Sequence, residues 1–258
     1  VPDEETVEKI STSLGFGTFE SKILVMRGID DYQKAREFFK PKLEDIHNPF
    51  LMADMQKAVD RIASAVENGE KILVYGDYDV DGTTAVALMY LYLIKIVDKK
   101  YIEYYIPDRN IEGYGISVEG IDYASANDFS LIIALDCGIK AIDKVEYASS
   151  INIDFIICDH HLPGDKIPAA FAVLDPKRKD CRYPFKELSG CGVGFKLCQG
   201  LNSIYKIPDS ELYDLTDLLT ISIAADIVAM TGENRLLAKM GIKILRNITN
   251  LIFICYSY

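Results

Sequence analysis

Lys71-Ile72-Leu73-Val74-Tyr75-Gly76-Asp77-Tyr78-Asp79-Val80-Asp81-Gly82-Thr83-Thr84 reads as a buried strand that runs into three aspartates at alternate positions, then a glycine, then a segment of helical periodicity. Three carboxylates this close in sequence repel one another unless a cation lies among them. Oxygen donors of this kind suit Mg²⁺ or Mn²⁺ better than softer metals. The stretch therefore reads as half of a metal site. The bland alternative is an acidic turn that caps the next helix, a common use of Asp.

Upstream, Met55, Val59, Ile62, Ala63 and Val66 fall at helical spacing, with Asp54 as a cap and Gly69 just past the end. The first fifty residues read as a leading segment packed on the main body, with a short helix over 34–39 stopped by Pro41. Downstream, 85–97 predicts a helix and 101–106 a strand; the polar glycine-containing loop 107–115 follows, and Ser117 caps a helix ending near Asn127. Two further apolar runs, 131–135 and 154–158, lead directly into Asp136-Cys137-Gly138 and Asp159-His160-His161.

Strand, acidic or histidine residue, helix: the repeat predicts an α/β fold, a mostly parallel sheet with helices on both faces. Ligands in such sheets bind outside the carboxyl ends of the strands. Asp77, Asp79 and Asp81 from one turn, Asp136 from a second, and Asp159, His160 and His161 from a third therefore share one edge. His47, alone near Pro49, reads as structural.

Composition bounds the function without deciding it. The chain has 258 residues, 49% of them apolar, enough for a sizeable core. Its formal charge of -11 argues against a broad basic surface for nucleic acid and leaves room only for a local groove. The six cysteines form no C-x-x-C pair and fit reduced thiols in a cytoplasmic protein. The sequence starts without the basic and apolar regions of a signal peptide, and no apolar run approaches the roughly 18 residues of a membrane span.

Gly76-Asp77-Tyr78-Asp79-Val80-Asp81-Gly82, Leu135-Asp136-Cys137-Gly138 and Asp159-His160-His161 resemble, in order and spacing, the successive motifs of the DHH phosphoesterase superfamily. More narrowly, the chain is similar to the bacterial single-strand-specific exonucleases of that superfamily. This second resemblance extends to Arg27-Gly28, Pro49-Phe50, residues 106–109 and 112–115, residues 189–196, Ala225-Asp226-Ile227-Val228 and residues 231–235, covering roughly 25 to 246.

The resemblance implies a two-metal phosphodiesterase, with Asp77, Asp79, Asp136, His160 and Asp226 holding two Mn²⁺ or Mg²⁺ ions. It places His161 against the scissile phosphate, Asp159 as a support for the histidines, and Asp81 as an orienting member of the catalytic turn. It also implies 5′-to-3′ degradation of single-stranded DNA in recombination and repair, with release of 5′-mononucleotides, alongside a single-strand-binding protein and a helicase.

Two other groups read as substrate-binding. Glycines 190, 192 and 194, beside Ser189, open a helix and would let backbone N–H groups approach a phosphate, the alternative being close packing of helix on sheet. Arg109 meets substrate phosphate or pairs with Asp108 or Glu112. Lys177, Arg178, Lys179 and Arg182 read as a solvated connection rather than a nucleic-acid patch. Helices are predicted over 195–204, 209–230 (in pieces) and 236–246; Asp226, in an otherwise apolar segment, reads as a ligand because a lone buried carboxylate is costly.

These readings divide the chain into a leading segment over 1–50, a phosphoesterase domain over 51–246 and an uncharged tail over 247–258 that does not resemble the family's continuation. The resembled enzymes continue into further domains that close the strand-binding cleft, so a truncated product is expected. Three rivals remain at this point. One is another DHH phosphoesterase, acting on oligonucleotides, cyclic dinucleotides or pyrophosphate. Another is a haloacid-dehalogenase-type phosphatase, since Asp79-Val80-Asp81-Gly82-Thr83 satisfies D-x-D-G-T. The last is a catalytically silent scaffold, which predicts eroded ligands.

Overall fold

Residues 2–246 are described in a computed structural model. Residues 71–76 carry β-branched and aromatic side chains that are apolar on both faces, which suits a strand covered on both sides. This strand, β1 (Lys71–Gly76), is joined by β2 (Ile102–Tyr105), β3 (Phe129–Leu135), β4 (Asp154–Cys158) and β5 (Ala172–Leu174) in a five-stranded sheet of order β2-β1-β3-β4-β5. Every pairing is parallel. The predicted α/β class stands. β5 is the strand that the sequence reading missed, because three residues are too few to show a period.

The helices are α1 (Glu4–Leu14), α2 (Thr18–Met26), α3 (Tyr32–Phe39), α4 (Met55–Asn68), α5 (Val80–Leu93), α6 (Val118–Ala126), α7 (Ile142–Ser150), α8 (Gly190–Tyr205), α9 (Asp209–Tyr213), α10 (Thr216–Ala225) and α11 (Gly232–Leu245). Strand side chains alternate between two cores. Ile72, Val74, Ile133 and Ile156 face α4, α5, α8 and α10; Leu73, Tyr75, Ile132 and Phe155 face α6 and α7. Burial on both faces is what permits an all-parallel sheet in water. The five cysteines among the described residues are buried free thiols within or beside these cores.

Differences from the sequence reading have local causes. α5 begins at Val80 rather than near 85, because Asp79 Oδ1 accepts the Gly82 N–H at 2.8 Å and so starts the helix early. Asp54 does not cap α4 with its side chain. That carboxylate is drawn instead to Arg178 (2.6 Å) and Lys57 (3.1 Å). α1 and α2 were not expected. With α3 they bury a small core of their own around Ile10, Leu24, Ile29 and Ala35. The leading residues also touch the main body: Lys196 Nζ donates to the His47 carbonyl at 2.8 Å, and Arg235 to the carbonyl of Phe38. His47 is structural in this sense, its ring set edge-on against Tyr183.

Chain order positions the site. β1 passes to β2 on one side of the sheet, and the chain then crosses to β3 on the other side. The carboxyl ends of β1 and β3 therefore flank a topological switch point, where an open α/β sheet leaves a crevice. No helix among the described residues is long and apolar enough to cross a membrane. Residues 247–258, read from sequence as an atypical tail, lie outside the described residues.

Candidate metal centre

Four of the five strands deliver an aspartate just past the carboxyl end: Asp77 after β1, Asp136 after β3, Asp159 after β4 and Asp175 after β5. All four are buried. Asp136 takes a left-handed backbone (φ 59°), which is uncommon for a residue with a side chain. Its N–H is held by the Cys158 carbonyl at 2.8 Å. α8 begins directly over it, at a glycine: a Cβ on Gly190 would fall 2.4 Å from Asp136 Oδ1.

The centre of the cluster is the His160 ring. Its Nε2 lies 3.2 Å from Asp136 Oδ1, 3.6 Å from Asp226 Oδ2 and 3.7 Å from Asp81 Oδ2. Asp136, His160 and His161 present ligand atoms within 4.8 Å of one another, and so do Asp81, His160 and Asp226. The charges of Asp77 and Asp79 reach the same region, Asp79 repelling both Asp77 and Asp136. Burial, followed by the charges of Asp81, Asp79 and Asp159, pushes the Asp136 carboxyl up to about 10. Burial likewise raises Asp77 and Asp81.

Orphaned atoms test whether this chemistry fits a cation. Asp77 Oδ2 and Asp136 Oδ1 are buried without a hydrogen-bond partner among the described residues. Such groups are costly unless something else satisfies them. A hard divalent ion among carboxylate oxygens and one imidazole nitrogen removes both the repulsion and the unpaired lone pairs. The donor set fits Mn²⁺ or Mg²⁺.

Asp81 is engaged differently from its neighbours. Its oxygens accept the N–H groups of Gly190 (2.7 Å) and Cys191 (2.8 Å) and the hydroxyl of Ser222 (2.8 Å). Because Ser222 gives its proton to Asp81, Ser189 is the donor in the 2.6 Å contact between the two serines. Asp81 thus ties the first turn to the start of α8 and the middle of α10, an orienting role.

The glycines of α8 are corrected by the same contacts. Gly190, Gly192 and Gly194 are buried. The Gly190 N–H is taken by Asp81, and that of Gly192 by Ser189 Oγ at 3.1 Å. A phosphate has no access to these donors, so the close-packing alternative is the one observed, and Ser189 is a helix cap. Asp226 also needs a different rationale. It sits at the C-cap of α10 with its side chain 29% exposed, so the cost of burial does not place it. Its carboxylate at the negative end of a helix, with Asp81 nearby, is unfavourable without a cation.

Asp159 holds the backbone of both histidines but the ring of His161 only. Its Oδ1 accepts His161 Nδ1 at 2.7 Å and the N–H groups of His160 and His161; its Oδ2 accepts the Ile139 N–H at 2.9 Å. Burial would raise this carboxyl, but the His161 hydrogen bond and charge outweigh it and hold Asp159 below its ordinary value. Asp159 in turn raises His161. The far side of the His161 ring faces Tyr114, whose hydroxyl lies 3.3 Å from Nε2.

Arg109 makes no ion pair with Asp108 or Glu112. Glu112 is spent on Tyr105, Ser117 and the Asp108 N–H, and Asp108 on the Asn110 N–H. The guanidinium lies 5.2 Å over the Tyr78 ring, and Tyr78 meets Tyr114 edge-on at 6.2 Å. Of this edge beside the centre, Arg109 was singled out from sequence but the Tyr78 and Tyr114 rings were not. Their signal was available, with Tyr78 lodged between two aspartates and Tyr114 between two glycines. Arg178 departs from the sequence reading in another way: it is buried and pinned by Asp54, Asp180 and the Val173 carbonyl, rather than solvated.

Known proteins resemble this chain in sequence and in fold. The single-stranded-DNA-specific exonuclease RecJ of Bacillus subtilis (strain 168) is 40% identical over 250 residues, 97% of this chain and 31% of that protein. The RecJ of Escherichia coli (strain K12) is 37% identical over 204 residues, 76% of this chain and 35% of that protein. The chain thus spans about a third of the length of these relatives. A crystal structure of exonuclease RecJ bound to manganese matches with a TM-score of 0.67 at 29% identity, over 74% of this chain and 48% of that one. The fold alone is also shared with RecJ of Thermus thermophilus in complex with Mn²⁺ (TM-score 0.75, 24% identity, 94% of this chain and 34% of that one). The profile of the DHH family, N-terminal domain, matches residues 71–223, more than half of the chain, and the chain belongs to the DHH family.

Proposed function

We propose that this chain is the metal-dependent phosphodiesterase core of a 5′-to-3′ single-stranded-DNA exonuclease that releases 5′-mononucleotides in recombination and repair. The observation that carries the reading is the His160 Nε2 facing Asp136, Asp226 and Asp81 at 3.2–3.7 Å, with buried lone pairs left over. Asp77, Asp79, Asp136, His160 and Asp226 would hold two Mn²⁺ or Mg²⁺ ions, within a domain spanning 51–246 on which residues 1–50 pack. Such ions, when bound, supply an activated water, polarise the phosphodiester and stabilise the leaving oxygen.

The chain's own groups do the rest. His161, oriented through Nδ1 by Asp159, presents Nε2 at the mouth of the site, where it donates a proton to a phosphate oxygen once Tyr114 yields. Arg109 supplies a cation with no carboxylate partner, suited to the strand's phosphate, and the Tyr78 and Tyr114 rings offer faces on which unpaired bases stack. Stacking on bases is a single-strand preference, since a duplex hides those faces. A cytoplasmic location and work beside a single-strand-binding protein and a helicase follow from that substrate. Ligand positions are all filled, which disfavours the silent scaffold. Asp79 does not directly follow β1, and an aspartyl-phosphate mechanism has no need of Asp159-His160-His161, which disfavours that alternative.

The test is a calorimetric Mn²⁺ titration paired with 5′-phosphorylated single-stranded and duplex oligonucleotides. Binding of about two ions, with mononucleotides released from the single strand and lost in His160→Ala, supports the reading. A folded chain that binds no Mn²⁺, or cleavage that persists in His160→Ala, overturns it.

A further inference from the structure

The centre has a buried carboxylate that neither the ligand set nor the support of His161 uses. Asp175 is 0% exposed at the end of β5. Its Oδ1 accepts the Lys177 N–H at 2.7 Å, while Oδ2 is buried with no partner. β5 pairs with β4 so that Leu174 lies opposite Cys158, and the Asp159 N–H donates to the Leu174 carbonyl at 2.9 Å. The next residues along each strand, Asp175 on one and Asp159-His160 on the other, are therefore neighbours. The charges of Asp159 and His160 are both felt at Asp175.

His160 presents the matching need. Nε2 points to the three carboxylates, so Nδ1 faces back into the protein, where it is buried without a partner. A histidine whose one nitrogen binds a metal donates from the other to a carboxylate, a carbonyl or a water, and that bond fixes tautomer and ring plane. Asp159 is not available for this, since its two oxygens already accept four donors, the His161 ring among them.

We infer that Asp175 is the positioning residue of His160: its Oδ2 accepts the Nδ1–H of His160, by direct contact after a small side-chain rotation or through one bridging water. The two adjacent histidines are then oriented by different carboxylates from different strands, His161 by Asp159 and His160 by Asp175. This division keeps Nε2 of His160 free of a proton and aimed at the ligand position. The inference rests on the metal-centre reading above for its consequence, and on the orphaned atom pair for its geometry.

Two measurements on the intact chain separate the inference from that reading. In spectra of the metal-free chain carrying ¹⁵N-histidine, the His160 Nδ1–H is expected to be present and protected from exchange. It should be lost in Asp175→Leu, and also in Asp175→Asn, whose single amide oxygen is held by the Lys177 N–H and whose NH2 then faces Nδ1 as a donor. Calorimetric Mn²⁺ affinity should fall roughly 10–100-fold in both variants, as for other outer partners of ligating histidines. Melting curves identify the folded variants; because Asp175→Asn keeps the shape of the side chain and the bond from Lys177 while removing the second acceptor, it decides the question if the leucine variant unfolds. A protected Nδ1–H that is indifferent to both substitutions, or a folded Asp175→Leu chain with unchanged Mn²⁺ affinity, overturns the inference. If the wild-type chain binds no Mn²⁺, the functional reading fails, and the Nδ1–H signal alone still decides whether Asp175 holds His160.

Discussion

Two buried polar clusters lie within this fold, and they are built on opposite terms. One joins Lys196, Glu233, Tyr183 and the backbone of His47. Glu233 Oε1 accepts the His47 N–H (3.0 Å) and Lys196 Nζ (3.1 Å), and Oε2 accepts the Tyr183 hydroxyl (2.6 Å). One positive and one negative charge cancel. The other cluster, at the carboxyl edge of the sheet, gathers carboxylates around a single buried histidine. Of the eight buried side-chain atoms without a partner among the described residues, four belong to this edge: Asp77 Oδ2, Asp136 Oδ1, His160 Nδ1 and Asp175 Oδ2. The first cluster is complete as a piece of structure. The second is complete only with something positive in it, and this incompleteness marks it as functional.

The largest effect should come from breaking the second cluster at its centre. Asp136→Ala removes the oxygen nearest His160 Nε2 and should weaken Mn²⁺ binding by more than the roughly 100-fold that an outer partner costs at most. Asp136→Asn should do the same while raising the melting temperature of the metal-free chain, because it deletes a carboxyl that is forced together with Asp81 and Asp79. Calorimetry and melting, read together, check the pair of outcomes. A substitution that weakened both metal binding and the metal-free fold would make Asp136 an ordinary core residue.

Breaking the first cluster should give the opposite signature. Lys196→Met leaves Glu233 buried and unpaired and should cost about 3–5 kcal/mol of stability, visible in urea unfolding. Mn²⁺ affinity of the folded fraction should be unchanged. Removing both charges, Lys196→Met with Glu233→Leu, should recover much of that loss. If the single variant altered metal affinity as strongly as it altered stability, the two clusters would not be separate.

The next effect is one of pH. Burial raises Asp136 to about 10 and Asp175 to about 6, against roughly 3.9 in an unfolded chain. The folded, metal-free protein therefore holds these protons more tightly than the unfolded chain. Their stabilising contribution is present below pH ~4 and is lost as pH rises, through about 6 for Asp175 and on towards 10 for Asp136. Metal-free stability should fall between pH 5 and pH 7.5. A loss of about 1 kcal/mol would lower the melting temperature by roughly 2–4 °C, and saturating Mn²⁺ should abolish the slope. Asp159 has the opposite sign, being held low by His161, and weakens the fold only as pH drops through its depressed value. A metal-free melting temperature that is flat over this range would remove the argument from uncompensated charge.

The same contrast explains what the sequence made legible. β1, β3 and β4 each run long enough in apolar residues to be seen, and each ends in an acidic or histidine residue, so the convergence of Asp77, Asp136 and Asp159-His160-His161 could be inferred from order alone. β5 repeats the pattern in Ala172-Val173-Leu174-Asp175, but three residues carry no period, and Asp175 went unseen with its strand. The glycines of α8 were ambiguous because a phosphate cradle and a tight helix start need the same residue. What separates them is the long-range bond from Gly190 to Asp81, 109 positions away, and sequence spacing does not encode that contact. Asp226, read as a ligand from the cost of burying a lone carboxylate and from the resemblance, lies 3.6 Å from His160 Nε2 with its side chain partly exposed, so the burial argument does not account for its place and proximity was not visible in the sequence.

The smallest expected effect tests the rim of the charged cluster rather than its heart. Arg109 lies in neither cluster; its guanidinium rests on Tyr78 without a carboxylate partner, and it faces solvent beside the centre. An exposed contact of this kind with a ring is worth only about 0.5–1 kcal/mol, so Arg109→Ala should barely change the melting temperature. It should leave Mn²⁺ affinity alone, since no ligand touches it. Its effect should appear in KM for a single-stranded oligonucleotide, rising several-fold, with a shallower dependence on salt because one phosphate contact is gone. Arg109→Lys should restore the salt dependence without fully restoring KM, because an ammonium supplies the charge but not the flat stacking surface. A fall in kcat with KM and salt dependence unchanged would move Arg109 from the strand to the reacting phosphate, and would extend the functional cluster outward by one residue.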